Sequence, residues 1–207
     1  VFSVATDTGG LPNLTAATIS YSQAGYLAGV QACSVTKTNK VAMIVGEWYD
    51  PHKQMYDSYI KGAQTCGKKV EVKAVTTGSW SDVNKAREAS LSLIASGYDV
   101  LMPCLDAAYV GVLTAAQDSK NVLVVGTVSD MVKVAPDVVV SSIVYNWEEL
   151  GYQEAAGKLL DGGSHVLGMA ENGLKIVKNA DLISKEASDN LDKAVEDLKA
   201  GKVDIAP

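Results

Sequence analysis

Three aspartates stand just past apolar runs, and three large aromatic residues occupy the loops between such runs. Asp7 follows Val1 to Thr6, Asp106 follows Asp99-Val-Leu-Met-Pro103, and Asp130 follows Asn121-Val-Leu-Val-Val-Gly126. Trp48 and Tyr49 come after Lys40-Val-Ala-Met-Ile-Val-Gly46, and Trp80 after Val70 to Val75. Carboxylates accept hydrogen bonds from N–H and O–H groups, and aromatic faces stack on flat rings. The set suits a planar molecule that carries NH or hydroxyl groups. Each residue also has a plainer use: the aspartates as caps of turns or helices, Trp48 and Tyr49 as packing at a strand's end, Trp80 as a buried loop anchor.

Enzyme chemistry finds little support. Asp106 and Asp130 have the residue type for paired acid and base work, but the sequence sets no nucleophile or metal site beside them. Glycine-rich phosphate and dinucleotide turns and the Gly-x-Ser-x-Gly elbow are missing. His52 follows a proline at a helix start and His165 follows Gly-Gly-Ser at a strand start, positions that suit surface or capping roles. Nothing calls for a cofactor.

The elements that must position these side chains alternate. Asp99 to Asp130 reads as strand, helix (Ala107 to Gln117), strand, a parallel crossover with its polar residues gathered past the carboxyl ends, where open parallel sheets bind ligands. Before it, the pattern predicts a strand at Val1 to Thr6, a helix over Tyr21 to Cys33 packed on a sheet through its Gly and Ala positions, and a strand at Lys40 to Gly46. A helix striped by Met55, Tyr59, Ala63 and Cys66 comes next, then a strand at Val70 to Val75 and a helix from Val83 to Ser96 capped by Ser81 or Asp82. Beyond it lie a strand over Asp137 to Val144, a helix opened by Tyr145-Asn146-Trp147, a strand pair joined as a hairpin at Glu171-Asn172-Gly173, and a last helix with Leu191, Ala194 and Leu198 on one face. The segments Asp7 to Tyr21 and Met131 to Asp137 are the candidate crossings between two lobes. This is an α/β chain with mainly parallel sheet.

Composition narrows the partners. The 207 residues carry 24 acidic and 18 basic side chains, a net charge of −6 with no basic block, so neither nucleic acid nor an anionic membrane surface is expected to bind. A 47% hydrophobic content is ample for a packed core. The chain opens on Val1 inside a strand pattern, from which we expect an upstream portion that holds a signal or lipid anchor. Cys33, Cys66 and Cys104 lack metal or redox spacing, and burial is the favoured reading. Cys33 and Cys66 each end a helix that precedes a strand, so a disulfide between them is the alternative if the chain is exported.

Several stretches together resemble the basic membrane protein family of substrate-binding lipoproteins, which includes purine nucleoside receptors of ABC importers. They are Pro12-Asn13-Leu14, Gly25-Tyr26-Leu27-Ala28-Gly29-Val30, Thr36-Lys37-Thr38-Asn39-Lys40-Val41, Gly78-Ser79-Trp80-Ser81-Asp82 and Gly126-Thr127-Val128-Ser129-Asp130. The resemblance implies a type I periplasmic-binding-protein-like fold, parallel sheets flanked by helices in two lobes, with the first lobe incomplete: 1–20 and 131–207 as its remainder, 21–130 as the second lobe. It implies a solute, a purine base or nucleoside-like molecule, shut in the cleft between the lobes, permease subunits of an importer as partners, and an extracytoplasmic, lipid-anchored location.

By that match Trp80 is the stacking aromatic, Asp7 a first-lobe cleft residue, and Asp106 and Asp130 polar contacts; Trp48, as an aromatic at a strand's end, and Tyr145 are further candidate ligand contacts. The chain departs from the nucleoside-binding pattern at Val128, where an acid is usual, at Tyr145, where lysine is usual, and at Asp106, where glycine is usual. Asp106 and the turn Ser129-Asp130-Met131 look more like members that take a free base or another small ligand. The rivals are a ligand-sensing domain of a receptor or regulator with the same fold, and an α/β enzyme using Asp106 and Asp130.

Overall fold

The computed structural model describes residues 2–4, 7–159 and 162–205. Nine strands and six helices are present among them, arranged as two sheets. The smaller sheet has the order β1-β2-β8, all parallel, with β1 at Phe2–Val4, β2 at Thr15–Ile19 and β8 at Gly163–Leu167. The larger has the order β4-β3-β5-β6-β7-β9. Its strands are β3 (Lys40–Val45), β4 (Glu71–Thr76), β5 (Val100–Cys104), β6 (Leu123–Val128), β7 (Val139–Tyr145) and β9 (Leu174–Lys178). Only β9 runs antiparallel, against β7. The carboxyl ends of β3 to β7 therefore all open on one edge.

Helices cover the larger sheet: α1 (Tyr21–Val35), α2 (Asp50–Ala63) and α6 (Lys185–Lys199) in one group, α3 (Val83–Ala95) and α4 (Tyr109–Gln117) in another; α5 (Trp147–Ala155) follows β7. Strands β3 and β5 are buried almost throughout, as unbroken apolar runs between two helical layers should be. Met43 and Met102 face one core cluster while Ile44 and Leu101 face the other, which is the alternation of a pleated strand.

Close approach between helices is a matter of glycine here. A Cβ on Gly25 would sit 2.1 Å from the Met55 carbonyl oxygen, one on Gly29 2.2 Å from that of Tyr59, and one on Gly62 2.1 Å from that of Tyr26. The small residues of α1 thus seat it on α2 as well as on the sheet, a correction to the expectation that they serve the sheet. A disulfide between Cys33 and Cys66, with Cα atoms 6.0 Å apart, fastens the far ends of the same two helices. Cys33 is fully buried as well.

Two further expectations need correction. The segment Asp7 to Tyr21 holds a strand, β2, whose five residues are all buried; its small Thr and Ala side chains lack the alternation by which a half-buried strand announces itself. The strand pair near Asn172-Gly173 is not a hairpin, since β8 joins the small sheet and β9 the large one. The turn instead carries the chain between sheets, with Asn172 at φ 57° and Gly173 packed where a Cβ would lie 2.2 Å from the Leu167 carbonyl oxygen. Residues 131–207, grouped above as one part of the first lobe, accordingly divide: β8 lies in the small sheet, while β7 and β9 extend the large one.

Candidate functional site

At the carboxyl edge of the large sheet the loops close round a cavity of about 210 Å³, lined by Tyr21, His52, Trp80, Cys104, Leu105, Asp106, Val128, Tyr145 and Trp147. Tyr21 opens α1 after β2, His52 lies in the first turn of α2, Trp80 precedes α3, and Cys104 to Asp106 run off the end of β5. Val128 ends β6, and Tyr145 and Trp147 flank the junction of β7 and α5. The parallel topology brings six separate connections to one place.

Trp80 is held by its backbone and by an absence. Its carbonyl accepts from the Ala108 amide at 3.1 Å, and its indole lies against Gly46, where a Cβ would come within 2.4 Å of Cδ2. Gly46 ends the β3 run and leaves the space that the ring fills. Downstream, Asp82 caps α3 by accepting from the Asn84 and Lys85 amides, each at 3.1 Å, and so fixes the end of the loop.

The aromatic walls stand mostly edge to face. Tyr21 meets His52 at 5.4 Å between centroids and 89°, and Tyr145 at 5.4 Å and 78°; Tyr145 meets Trp147 at 5.8 Å and 65°. His52 lies 4.9 Å from Trp80 at 40°, and the half-exposed Tyr49 ring runs nearly parallel to Trp80 at 6.3 Å and 12°. Edge-to-face geometry sets the positive rim of one ring on the negative face of the next and builds a rigid box.

The box carries little charge. Asp106 is exposed at its mouth, and among the described residues no lysine or arginine lines it. Burial lowers the pKa of His52, against a smaller raising effect of the Asp106 carboxylate, so the imidazole is neutral at pH 7. Nδ1 of His52 is enclosed without a hydrogen-bond partner, a further penalty on the imidazolium. Burial pushes the Cys104 thiol up to about 12, with Asp106 adding to the shift, so it stays protonated. Tyr21 and Tyr145 are also raised, by burial above all, and the Tyr145 hydroxyl points to Met55 Sδ at 3.9 Å.

Val128 sits in strained backbone. Its φ is +71°, and the Ser129 amide donates to the Thr127 carbonyl at 2.8 Å, a γ-turn in the form that β-branched residues rarely adopt. Thr127 Oγ1 donates to the Pro103 carbonyl at 2.5 Å and ties β6 to β5 just below the turn. Of the residues singled out from the sequence, Trp80, Asp106 and Tyr145 come together in the cavity. Trp48 does not line it; its ring packs on Tyr56 at 5.8 Å and 59°. Asp130 also stands outside the lining: Oδ2 pairs with Lys133 at 3.0 Å, while Oδ1 is enclosed without a partner. Asp7 is exposed and caps its own turn, accepting from the Gly9 amide at 2.6 Å.

Sequence reasoning passed over Tyr21, His52 and Trp147 as cavity residues. His52 was expected at a surface or as a cap, and the one available signal was its place on the strand-to-helix connection that also bears Trp48 and Tyr49. A larger cavity, about 560 Å³, lies between α1, α6 and the disulfide. Of its polar groups, Lys193 is paired with Asp197 and Asn190 with Ser34. Among the described residues no cluster of His, Cys, Asp and Glu is arranged to hold a metal ion.

The family model described as ABC transporter substrate-binding protein PnrA-like matches residues 3–206. The ABC transporter nucleoside-binding protein BmpA of Lactococcus lactis is 30% identical, covering 93% of this chain and 60% of that protein. A purine-binding protein of Brucella abortus is 29% identical over 72% of this chain and 42% of its own length. The transcriptional activator protein Med of Bacillus subtilis is 28% identical over 74% of this chain and 48% of its length. The chain thus spans about half of the curated relatives it matches. Among solved structures, a transcriptional activator of the comK gene from Bacillus halodurans superposes with a TM-score of 0.84 at 22% identity, over 98% of this chain and 70% of that one. A solute-binding protein of an ABC transporter system from Conexibacter woesei gives 0.73 at 22% identity, over 95% and 66%. The parallel sheets flanked by helices are the type I periplasmic-binding fold, as the motifs implied.

Proposed function

From the premise that the chain belongs to the family of PnrA-like ABC transporter substrate-binding proteins, we propose that it takes up a small planar polar solute, of the purine-base type, at the cavity walled by Trp80, Tyr145 and Asp106. The observation that carries this reading is the convergence of those three residues, from three different loops, on one cavity at the carboxyl edge of a parallel sheet. A stacking wall contributes about 1–3 kcal/mol to holding a base, and the carboxylate accepts from a ring N–H.

The volume supports a free base over a nucleoside. At about 210 Å³ the space lies below the roughly 300–1,000 Å³ usual for drug-sized ligands. The Val128 side chain at its wall offers no hydrogen bond to a sugar hydroxyl. Among the described residues no lysine or arginine lines the cavity, so the one charged group a phosphate would meet is the Asp106 carboxylate, which disfavours nucleotides. The role is capture without reaction: a solute that touches both lobes favours their closure by its differential affinity for the closed state. In this reading the protein serves the permease of an importer outside the cytoplasm, anchored by lipid, with the small sheet as part of the first lobe. Among the described residues no helix is long and apolar enough to cross a membrane.

Calorimetric titration of the full-length protein with adenine, hypoxanthine and their nucleosides tests the reading, with binding of a base and its loss in Trp80→Ala expected. Absence of binding by every purine overturns it. The likeness to Med and to the Bacillus halodurans activator favours a second reading, a ligand sensor coupled to gene control. The two separate by the fate of the ligand, since deletion of the gene abolishes uptake of labelled base only if the protein feeds an importer.

A further inference from the structure

Among the described residues the box has one formal charge in its lining, and that charge is negative. Asp106 stands at the mouth, no lysine or arginine faces inward, and the side chains that might have opposed it are uncharged. His52 is held neutral by burial with its Nδ1 enclosed and unpartnered, the Cys104 thiol stays protonated, and the hydroxyls of Tyr21 and Tyr145 are protonated as well. Nearby, Asp50 opens the same helix as His52 and is paired with Lys53 at 2.9 Å, on the exposed surface, outside the lining.

The walls add to the same bias. Three wall contacts are steeply crossed, Tyr21–His52 at 89°, Tyr21–Tyr145 at 78° and Tyr145–Trp147 at 65°, while Trp80 closes the ring of walls against His52 at 40°. A neutral flat ring gains from offset-stacked and edge-to-face contacts alike. Faces set crosswise, each with its negative π cloud, form the arrangement that receives a positive centre from several sides. We propose that this cavity selects the cationic form of its heterocycle: a planar ring bearing a fixed positive charge, an N-alkylated nitrogen for instance, with the charge directed between the aromatic faces and Asp106. The proposal rests on the reading of this cavity as the solute site and adds the sign of the charge to it.

The experiment compares two probes that differ by one N-methyl group and one charge, 1-methylnicotinamide and nicotinamide, by calorimetric titration of the full-length protein. The expected result is that the cation binds roughly tenfold tighter or more, that the ratio shrinks as salt is raised, and that it falls close to one in Asp106→Asn. A thermal melt of Asp106→Asn checks the fold, and Trp80→Leu, which keeps bulk and removes the π face, gives an independent readout with the same expected loss of preference. Equal affinity for the two probes, tighter binding of the neutral one, or a preference untouched by both substitutions overturns the proposal. If hypoxanthine or adenine binds while 1-methylnicotinamide does not, the charge selectivity is wrong and the solute-binding reading stands. If neither purines nor nicotinamides bind, both fall.

Discussion

The indole of Trp80 occupies the space that a side chain on Gly46 would need, with Cδ2 2.4 Å from the position of a Cβ there. A strand end and a loop end are thereby matched in shape, and the main aromatic wall of the cavity depends on a residue that offers no chemistry of its own. Gly46→Ala should force the ring out of place, because a contact that short cannot be absorbed by backbone on one side and a fused ring on the other. The expected outcome is a shift in tryptophan emission and a loss of base affinity of about tenfold, approaching that of Trp80→Ala. Unchanged emission and affinity would show that the strand end gives way and the ring keeps its place.

Val128 lies at the cavity wall with φ +71°. Left-handed backbone costs a β-branched residue about 1–2 kcal/mol, and glycine removes most of that while adding some unfolded-state entropy. Val128→Gly should therefore raise stability to chemical denaturation by up to about 1 kcal/mol. A lower midpoint would mean that the valine side chain contributes more by packing than its backbone loses.

The Cys33–Cys66 link closes a loop of 33 residues in sequence separation. Chain entropy alone puts its contribution at about 4 kcal/mol. Reduction, or the Cys33→Ala/Cys66→Ala pair, should lower the melting temperature by many degrees while leaving the cavity's ligand affinity intact, since the bond sits at the other end of α1 and α2.

His52 supplies a pH dependence with a defined sign. Its folded pKa is lowered from 6.5 by burial, so between that value and the lower folded one the unfolded chain binds more protons than the folded chain. Stability is then full above about pH 6.5, declines as pH falls through the window, and levels off below the folded pKa. Melting curves from pH 8 to pH 5 should show a steeper decline for the natural chain than for His52→Gln. Parallel curves would place the titration elsewhere.

Cys104 should be chemically quiet. With its thiol pushed up to about 12 and its side chain buried, almost no thiolate is present at pH 8. Iodoacetamide should label it only after denaturation, as read by intact mass; rapid labelling of the folded protein would mean that the base of the cavity opens.

Much of this fold is legible in the residues. The unit from Asp99 to Asp130 is the strand, helix and strand that its pattern implies, Asp82 caps α3, and Trp80 is the loop aromatic of the cavity. These features depend on local periodicity and capping, which neighbouring residues encode. The site was only partly visible because its other walls are set by distance in space. Tyr21 and Tyr145 are 124 positions apart, yet meet edge to face at 5.4 Å. His52 becomes a wall because α2 starts beside β3's end, and Asp130 leaves the lining because the turn at Val128 directs it to Lys133 instead. No short-range pattern distinguishes an aspartate that faces a cavity from one that pairs with a lysine three residues on.

The tie between β7 and the turn at Asn172-Gly173 has a mechanical result. Asn146 takes the Gly173 carbonyl with its amide at 2.8 Å and the Asn172 carbonyl with Nδ2 at 2.8 Å, while its chain neighbours are Tyr145 and Trp147. Any swing of the strand that leads out of the small sheet must either break both bonds or drag Asn146 along. In the second case two aromatic panels turn with it, so the tether works as a lever whose short arm ends inside the chamber.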